Sequence, residues 1–280
     1  MKIELKKQYF PIAIALFGSF LVAPVEAALE LRGSNDEFVY NPESDTTFAR
    51  DANLFKTQAA NNANLVNSIT SLTPTIVDPL WGPQNLDDGS HFDTDSGSMT
   101  WFGAVAWITW LNDQAYGGQS NWQLPEILPV NGSSINYLSS FDGSSDIGWN
   151  NGSPASALGN IFYTELSNIG SKEIDGSDVS EGIGVTNLGP FQNLDNAFYW
   201  YGSEFEQDPS FIDSAWGFST STGAQGSNAK PNGGPSANTF RAWAVLPGEP
   251  VAAVVPLPAP VWLFGSALTG LIALGRRRAA

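Results

Sequence analysis

The sequence predicts a loop-rich domain of short strands and two helices, held around buried tryptophan and flanked at each end by a segment of different composition. Nine of the ten tryptophans lie between Trp81 and Trp243, in short aromatic runs separated by Gly, Ser, Asn and Asp. Such runs, punctuated by turn residues, read as short strands and loops rather than as a helical bundle. Two stretches, and two only, carry apolar residues at helical spacing. The termini are set apart by basic residues next to uncharged apolar runs.

Lys2, Lys6 and Lys7 precede an apolar run from Phe10 to Val22, and the small residues Ala23, Ala27 and Ala28 follow. Basic, apolar, then small is the layout of a secretory signal peptide, and Val25-Glu26-Ala27 suits cleavage before Ala28. The first candidate strands are Glu37–Tyr40 and Thr46–Arg50, joined across Asn41-Pro42-Glu43-Ser44-Asp45 as a hairpin. Thr100 can cap a helix from Trp101 to about Leu111, stopped by Gly117-Gly118. Its apolar residues cover most of the circumference, so it is expected to be buried, Trp101 included. A second helix is expected from Pro154 to Leu166, with Leu158, Ile161, Phe162 and Leu166 facing inward. Phe198–Tyr201, Ala215–Ser219 and Arg241–Leu246 complete the strands.

The chain then runs uncharged from Val251 to Leu274 and ends in Arg276, Arg277 and Arg278 before two alanines. A spanning helix needs ~20 apolar residues, so Ala259 to Leu274 is a marginal span, and the arginines would stay cytoplasmic. Val255-Pro256-Leu257-Pro258-Ala259, the apolar stretch and the basic end resemble, in that order, the PEP-CTERM sorting signal in its VPLPA variant. The resemblance covers about the last 25 residues. It implies processing by an exosortase, a membrane protease-transpeptidase of bacteria that make exopolysaccharide, after export by the Sec machinery. Pro256-Leu257-Pro258 stands where the name-giving form has Pro-Glu-Pro. The inner membrane is then a transient partner, and the destination is the cell surface or extracellular matrix of a Gram-negative-type cell.

There is no cysteine, so disulfides are excluded and stability must come from the core. The whole chain carries a net charge of −16. Both ends together hold six of the twelve basic residues but only Glu4 and Glu26 among the acids, which leaves the middle at about −20. A field of that sign repels nucleic acid and anionic polysaccharide and attracts divalent cations and basic partners.

Spaced motifs run through the middle. Asp51-Ala52-Asn53 follows a strand, Met99-Thr100-Trp101 opens the helix, and Gly117-Gly118-Gln119-Ser120-Asn121-Trp122-Gln123-Leu124-Pro125 follows it. Leu158-Gly159-Asn160, Phe191-Gln192-Asn193-Leu194, Tyr199-Trp200-Tyr201-Gly202-Ser203-Glu204, Ala215-Trp216-Gly217-Phe218 and Arg241-Ala242-Trp243-Ala244-Val245 come later. In order and spacing this series is similar to the Lcl C-terminal-like domain family, from about Glu30 to Gly248. The resemblance implies an α+β domain of the C-type-lectin-like group, with short antiparallel strands, and an adhesin-like role. Gln123 and Glu126 replace the arginine and threonine usual in the family, so its binding of anionic sugars is not carried over. The chain thus divides into a signal peptide (1–27), this domain (28–248), a linker (249–255) and the sorting signal (256–280).

His91 is the one histidine, in the polar stretch Asp87–Asp95, and is read as a solvated surface residue. Without a Gly-x-Ser-x-Gly elbow there is no serine triad around it. Asp87, Asp88, Asp93 and Asp95 offer hard oxygen ligands for calcium, without the spacing of an EF-hand. Along Phe198–Tyr201, alternation places Trp200 in the core, as it does Trp216 in its own strand, and turns Tyr199 and Tyr201 outward as a candidate ligand surface. The expected function is therefore a non-enzymatic, lectin-like or adhesin-like exported protein, with polysaccharide as a candidate ligand. A ligand-free matrix protein bridged by calcium and a glycan hydrolase using two carboxylates are the alternatives. Replacing Pro256 and Pro258 by alanine removes the extended X-Pro geometry a protease reads. A larger, membrane-retained form is expected on immunoblots of an exosortase-bearing host, and normal release of the double variant overturns the assignment.

Overall fold

The expected hairpin is present as β2 (Phe38–Asn41) and β3 (Thr46–Ala49), paired antiparallel with Val39 opposite Phe48. The computed structural model describes residues 28–152, 156–206, 213–231 and 240–250, so the expected signal peptide and sorting tail lie outside the described residues. The hairpin is extended on one side by β1 (Glu30–Arg32) and on the other by β12 (Val245–Pro247), giving a four-stranded antiparallel sheet. The first and last strands of the domain thus share one sheet, and Arg32 Nε reaches Glu249 at 2.6 Å.

A second sheet has the order β11 (Phe240–Arg241), β8 (Phe198–Glu204), β9 (Ser214–Ser219), β10 (Ala224–Ala229), β7 (Ile147–Gly148) and β6 (Ser139–Ser140). The β8–β9–β10 meander is antiparallel, whereas β11 joins β8 and β6 joins β7 in parallel. The described residues therefore form an α+β domain with one mixed sheet, not antiparallel strands alone. The single strand expected over Arg241–Leu246 is two strands in different sheets. Between them Trp243 turns into the space between the sheets, where Phe48, Phe191 and Tyr199 surround it at ring separations of 5.2, 4.9 and 5.5 Å. Its indole N–H donates to Ala49 O on β3, so one side chain fastens the two sheets.

Helix α3 (Trp101–Asp113) matches its expected start. Thr100 Oγ1 accepts the Gly103 N–H at 3.1 Å, the N-cap predicted from the sequence. A Cβ on Gly103 would lie 2.7 Å from His91 O, so only glycine lets the preceding loop close on the helix. After the helix, Gly117 adopts φ +60 with the Phe38 ring against it. Two helices escaped the sequence reading, α1 (Leu54–Asn61) and α2 (Leu65–Leu72). α2 packs on α3, and Gln58 of α1 accepts from the Trp107 indole. The second expected helix is a single turn, α4 (Ala157–Gly159), continuing as a π-helical segment Asn160–Glu165. The expected start at Pro154 lies outside the described residues. Leu158, Ile161, Phe162 and Leu166 are buried, so the inward stripe holds although the winding does not.

The hairpin of β4 (Thr75–Asp78) and β5 (Gly82–Asn85) stands apart as a two-stranded sheet. Trp81 Nε1 donates to Asp213 O, and Lys230 Nζ lies 2.6 Å from Asp78 Oδ2, which ties the hairpin to the ends of β9 and β10.

Trp101 and Trp122 are buried, and each indole N–H has a backbone acceptor, Tyr201 O and Tyr116 O respectively. Trp101→Ala and Trp122→Ala are each expected to destabilise the domain by about 3–5 kcal/mol in urea titrations. Trp81→Ala, at a side chain 42% exposed, is expected to cost about 1 kcal/mol or less.

Candidate functional site

A cleft of about 360 Å³ opens between α3, the Trp122–Glu126 segment and the far end of β8. Three devices hold its walls. Asn112, near the end of α3, grips Trp122 reciprocally: its Nδ2 donates to Trp122 O at 2.9 Å and its Oδ1 accepts the Trp122 N–H at 2.6 Å. Gln123 and Val245 exchange backbone hydrogen bonds, both at 2.9 Å, which pins the segment to β12. Gly202 N–H donates to Pro125 O at 2.8 Å, tying it to β8 as well.

β8 contributes through an irregularity. Trp200 pairs with Gly217 and Glu204 with Ala215, so four positions on β8 advance against two on β9. The bulge frees Gly202 and Ser203 from the ladder and turns them to the cleft. Val105, Ile108 and Leu124 supply apolar wall beside Trp122, while Thr109, Gln123, Ser203 and Glu126 supply polar atoms. Glu126 is the one charged residue among the lining residues described. The size and the apolar-plus-few-polar character suit a small ligand or one unit of a polymer.

Tyr199 and Tyr201 do not form a surface, and that expectation is corrected. Both are fully buried, as are Trp200 and Trp216, because β8 is covered on both faces and alternation has no solvent side to choose. Trp200 is covered by Phe198 and Phe240, with its indole N–H on Met99 O. Tyr199 meets Trp243, and burial pushes its hydroxyl up to about 12. Tyr201 O–H donates to Gln225 Oε1 at 2.8 Å, Ser156 Oγ donates to the same oxygen at 2.5 Å, and Gln225 Nε2 donates to Asp146 O. Burial raises the Tyr201 hydroxyl too.

His91 is likewise not solvated. It is buried with Nδ1 2.8 Å from Thr100 Oγ1, against the edge of the Phe102 ring. The Thr100 hydroxyl that caps α3 is therefore also the partner of the imidazole. Burial lowers the His91 pKa from its ordinary 6.5, against the pull of Asp88.

Asp87, Asp88, Asp93 and Asp95 are not assembled into a ligand set. Among the described residues no group of three or more His, Asp or Glu side chains could hold a metal ion. Asp88 Oδ1 instead accepts Ser90 N–H and Oγ–H, which lower its pKa, and Asp93 Oδ1 accepts the Asp95 and Ser96 N–H groups. These are local turn bonds that point the carboxylates back at their own backbone. The sequence reading singled out Trp122, Gln123 and Glu126 as motif positions but did not bring them to Thr109 and Ser203. No pattern in the sequence announces the bulge that does so.

Among the described residues no helix is long and apolar enough to cross a membrane. No protein-family model, curated protein or solved structure matches the chain.

The buried imidazole has a consequence for stability. Its folded pKa lies below the unfolded value, so the unfolded chain binds the proton more readily. The contribution of a neutral His91 is present above pH ~6.5 and is lost as pH falls through and below it. Thermal melts are expected to show the domain losing stability below that pH, and His91→Asn is expected to make the loss shallower.

Proposed function

We propose that the chain is an exported, exosortase-processed protein of the cell surface or extracellular matrix whose domain is a non-enzymatic binding module for neutral glycan. The route rests on the two ends of the sequence, with basic, apolar and small residues at the start and Val255–Ala259, an apolar run and three arginines at the finish. The lectin-like or adhesin-like role, and the finer assignment to the C-type-lectin-like group, rest on the ordered motifs similar to the Lcl C-terminal-like family.

The composition of the cleft carries the choice of ligand. Half-buried Val105 and the edges of Ile108 and Leu124 that reach the cleft give a small apolar wall that suits the apolar face of a pyranose ring. Thr109, Gln123 and Ser203 are neutral hydrogen-bonding groups, and Glu126 adds a carboxylate. An anionic sugar would meet no basic residue among the described lining residues and would face the negative charge of the domain. Hydrolysis by paired carboxylates is disfavoured, because Glu126 has no second acid across the described lining.

The experiment is a glycan array probed with the secreted form of the chain, followed by titration of the best ligand. Neutral glycans are expected to bind, and Thr109→Trp, at an exposed position that fills the cleft, is expected to weaken binding roughly tenfold or more. Absence of any glycan ligand, or unchanged affinity in the filled variant, overturns the assignment.

A further inference from the structure

Lys230, whose contact with Asp78 docks the β4–β5 hairpin, lies outside the cleft. Its side chain is fully buried, directly after β10, with Nζ 2.6 Å from Asp78 Oδ2 at the end of β4 and 2.9 Å from Glu204 Oε2 at the end of β8. The Trp101 ring lies 5.1 Å from the same nitrogen and is fixed by its own indole bond to Tyr201 O. Asp78 is almost as deeply buried, and its other oxygen, Oδ1, accepts the Leu80 and Trp81 N–H groups, both at 2.9 Å.

The Lys230 amine thus touches two carboxylates, Asp78 buried beside it and Glu204 partly open to solvent. Burial raises the Asp78 pKa, but the Lys230 contact and the Trp81 and Leu80 amides outweigh it and leave the carboxyl below its ordinary range, so transferring one proton along the short Nζ–Oδ2 contact, to give a neutral amine beside a carboxylic acid, is the uphill first step. That neutral pair is the reactive form of the two groups. The paired N–H donors on Oδ1 stand where negative charge develops when a nucleophile adds to the Asp78 carboxyl carbon. Glu204 stands on the nucleophilic nitrogen, where a proton must be taken up.

We propose that Lys230 and Asp78 are joined by an intramolecular isopeptide bond that the folded chain forms on itself, with Glu204 as the proton carrier. The Lys230 nitrogen adds to Asp78 Cγ, forming the C–N bond, and the Oδ1 oxyanion is held by the Leu80 and Trp81 amides. Glu204 takes the proton released by the nitrogen and delivers it to the Oδ2 hydroxyl. The Cγ–Oδ2 bond then breaks, one water leaves and the amide remains. Ammonium and carboxylate become amide and water, with no oxidant, reductant or cofactor consumed. Proximity supplies the driving orientation, since Asp78 and Glu204 stand at the ends of β4 and β8 and Lys230 directly follows β10. The product is a covalent tie between positions 152 residues apart in a chain that has no cysteine with which to make one.

The test is a chymotryptic digest of the purified full chain, analysed by tandem mass spectrometry. A branched species is expected that joins the peptides bearing Asp78 and Lys230 and is lighter than their sum by one water. Lys230→Arg keeps the positive charge but offers no nucleophilic amine, and the branched species is expected to vanish. Glu204→Gln is expected to lose most of it, with tryptophan fluorescence showing that the fold persists. Recovery of Asp78 and Lys230 only in separate linear peptides from the folded wild-type chain overturns the proposal and leaves a buried ion pair. A Glu204→Gln chain linked as fully as the wild type overturns the part given to Glu204.

Discussion

Tyr199, Trp200 and Tyr201 follow one another on β8 and are all fully buried, so both faces of that strand must be covered and each polar tip must find a partner away from water. That constraint organises the domain. The Trp200 face is closed by Phe198, Phe240 and the backbone at Met99, which fixes the start of α3. The opposite face is closed by Trp243 against Tyr199 and by Ser156 and Gln225 against the Tyr201 hydroxyl. Trp243 in turn reaches β3, and Gln225 reaches the segment before β7. With short strands and, among the described residues, one helix longer than three turns, the domain has little repetitive hydrogen bonding to lean on. It is held instead by large side chains that each combine wide apolar contact with one directed N–H or O–H.

The acidity of the chain finds its place in the loops. Asp88, Asp93, Asp142 and Asp175 each accept the backbone N–H two residues ahead, and Asn131 does the same without charge. Each bond closes a turn, and at Asp88, Asp142 and Asp175 the serine hydroxyl and backbone N–H donated to the carboxylate hold its pKa below the ordinary range. The charge is thus spread over separate turns, where repulsion is screened by solvent, rather than gathered at one centre. The same geometry explains why a run of aspartates that reads like a cation site is a loop-forming device.

Much of the scaffold was legible from local pattern. The Thr100 cap, the length of α3, the β2–β3 hairpin and the strand cores of β8 and β9 follow from spacing and turn residues, and the structure has them nearly residue for residue. What escaped was set by tertiary context. α1 buries little beyond Leu54 and Phe55, and Asn61 at its end with Asn62 and Asn64 between it and α2 resemble a loop. The outward reading of Tyr199 and Tyr201 assumed one wet face, and no local signal tells a strand covered once from a strand covered twice. The polar stretch around His91 gave no hint that Gly103 lets it press on α3. Half of the cleft was legible as the Trp122–Glu126 motif, and the other half depends on the β8 bulge, which is a property of pairing rather than of sequence.

The four-stranded sheet has an implication for the order of events during synthesis. Its centre is made early, from residues 38–49, but the edge of β3 is completed only by β12, with Val245 opposite Phe48 and the Trp243 indole on Ala49 O. A chain emerging from its N-terminus therefore carries an open, apolar strand edge until nearly the whole domain has been made. Contacts so distant in sequence close slowly, and an unpaired edge is what neighbouring chains or chaperones bind in the interval. Folding of this domain is in that sense a post-translational event, gated by arrival of the last strand rather than by formation of the first.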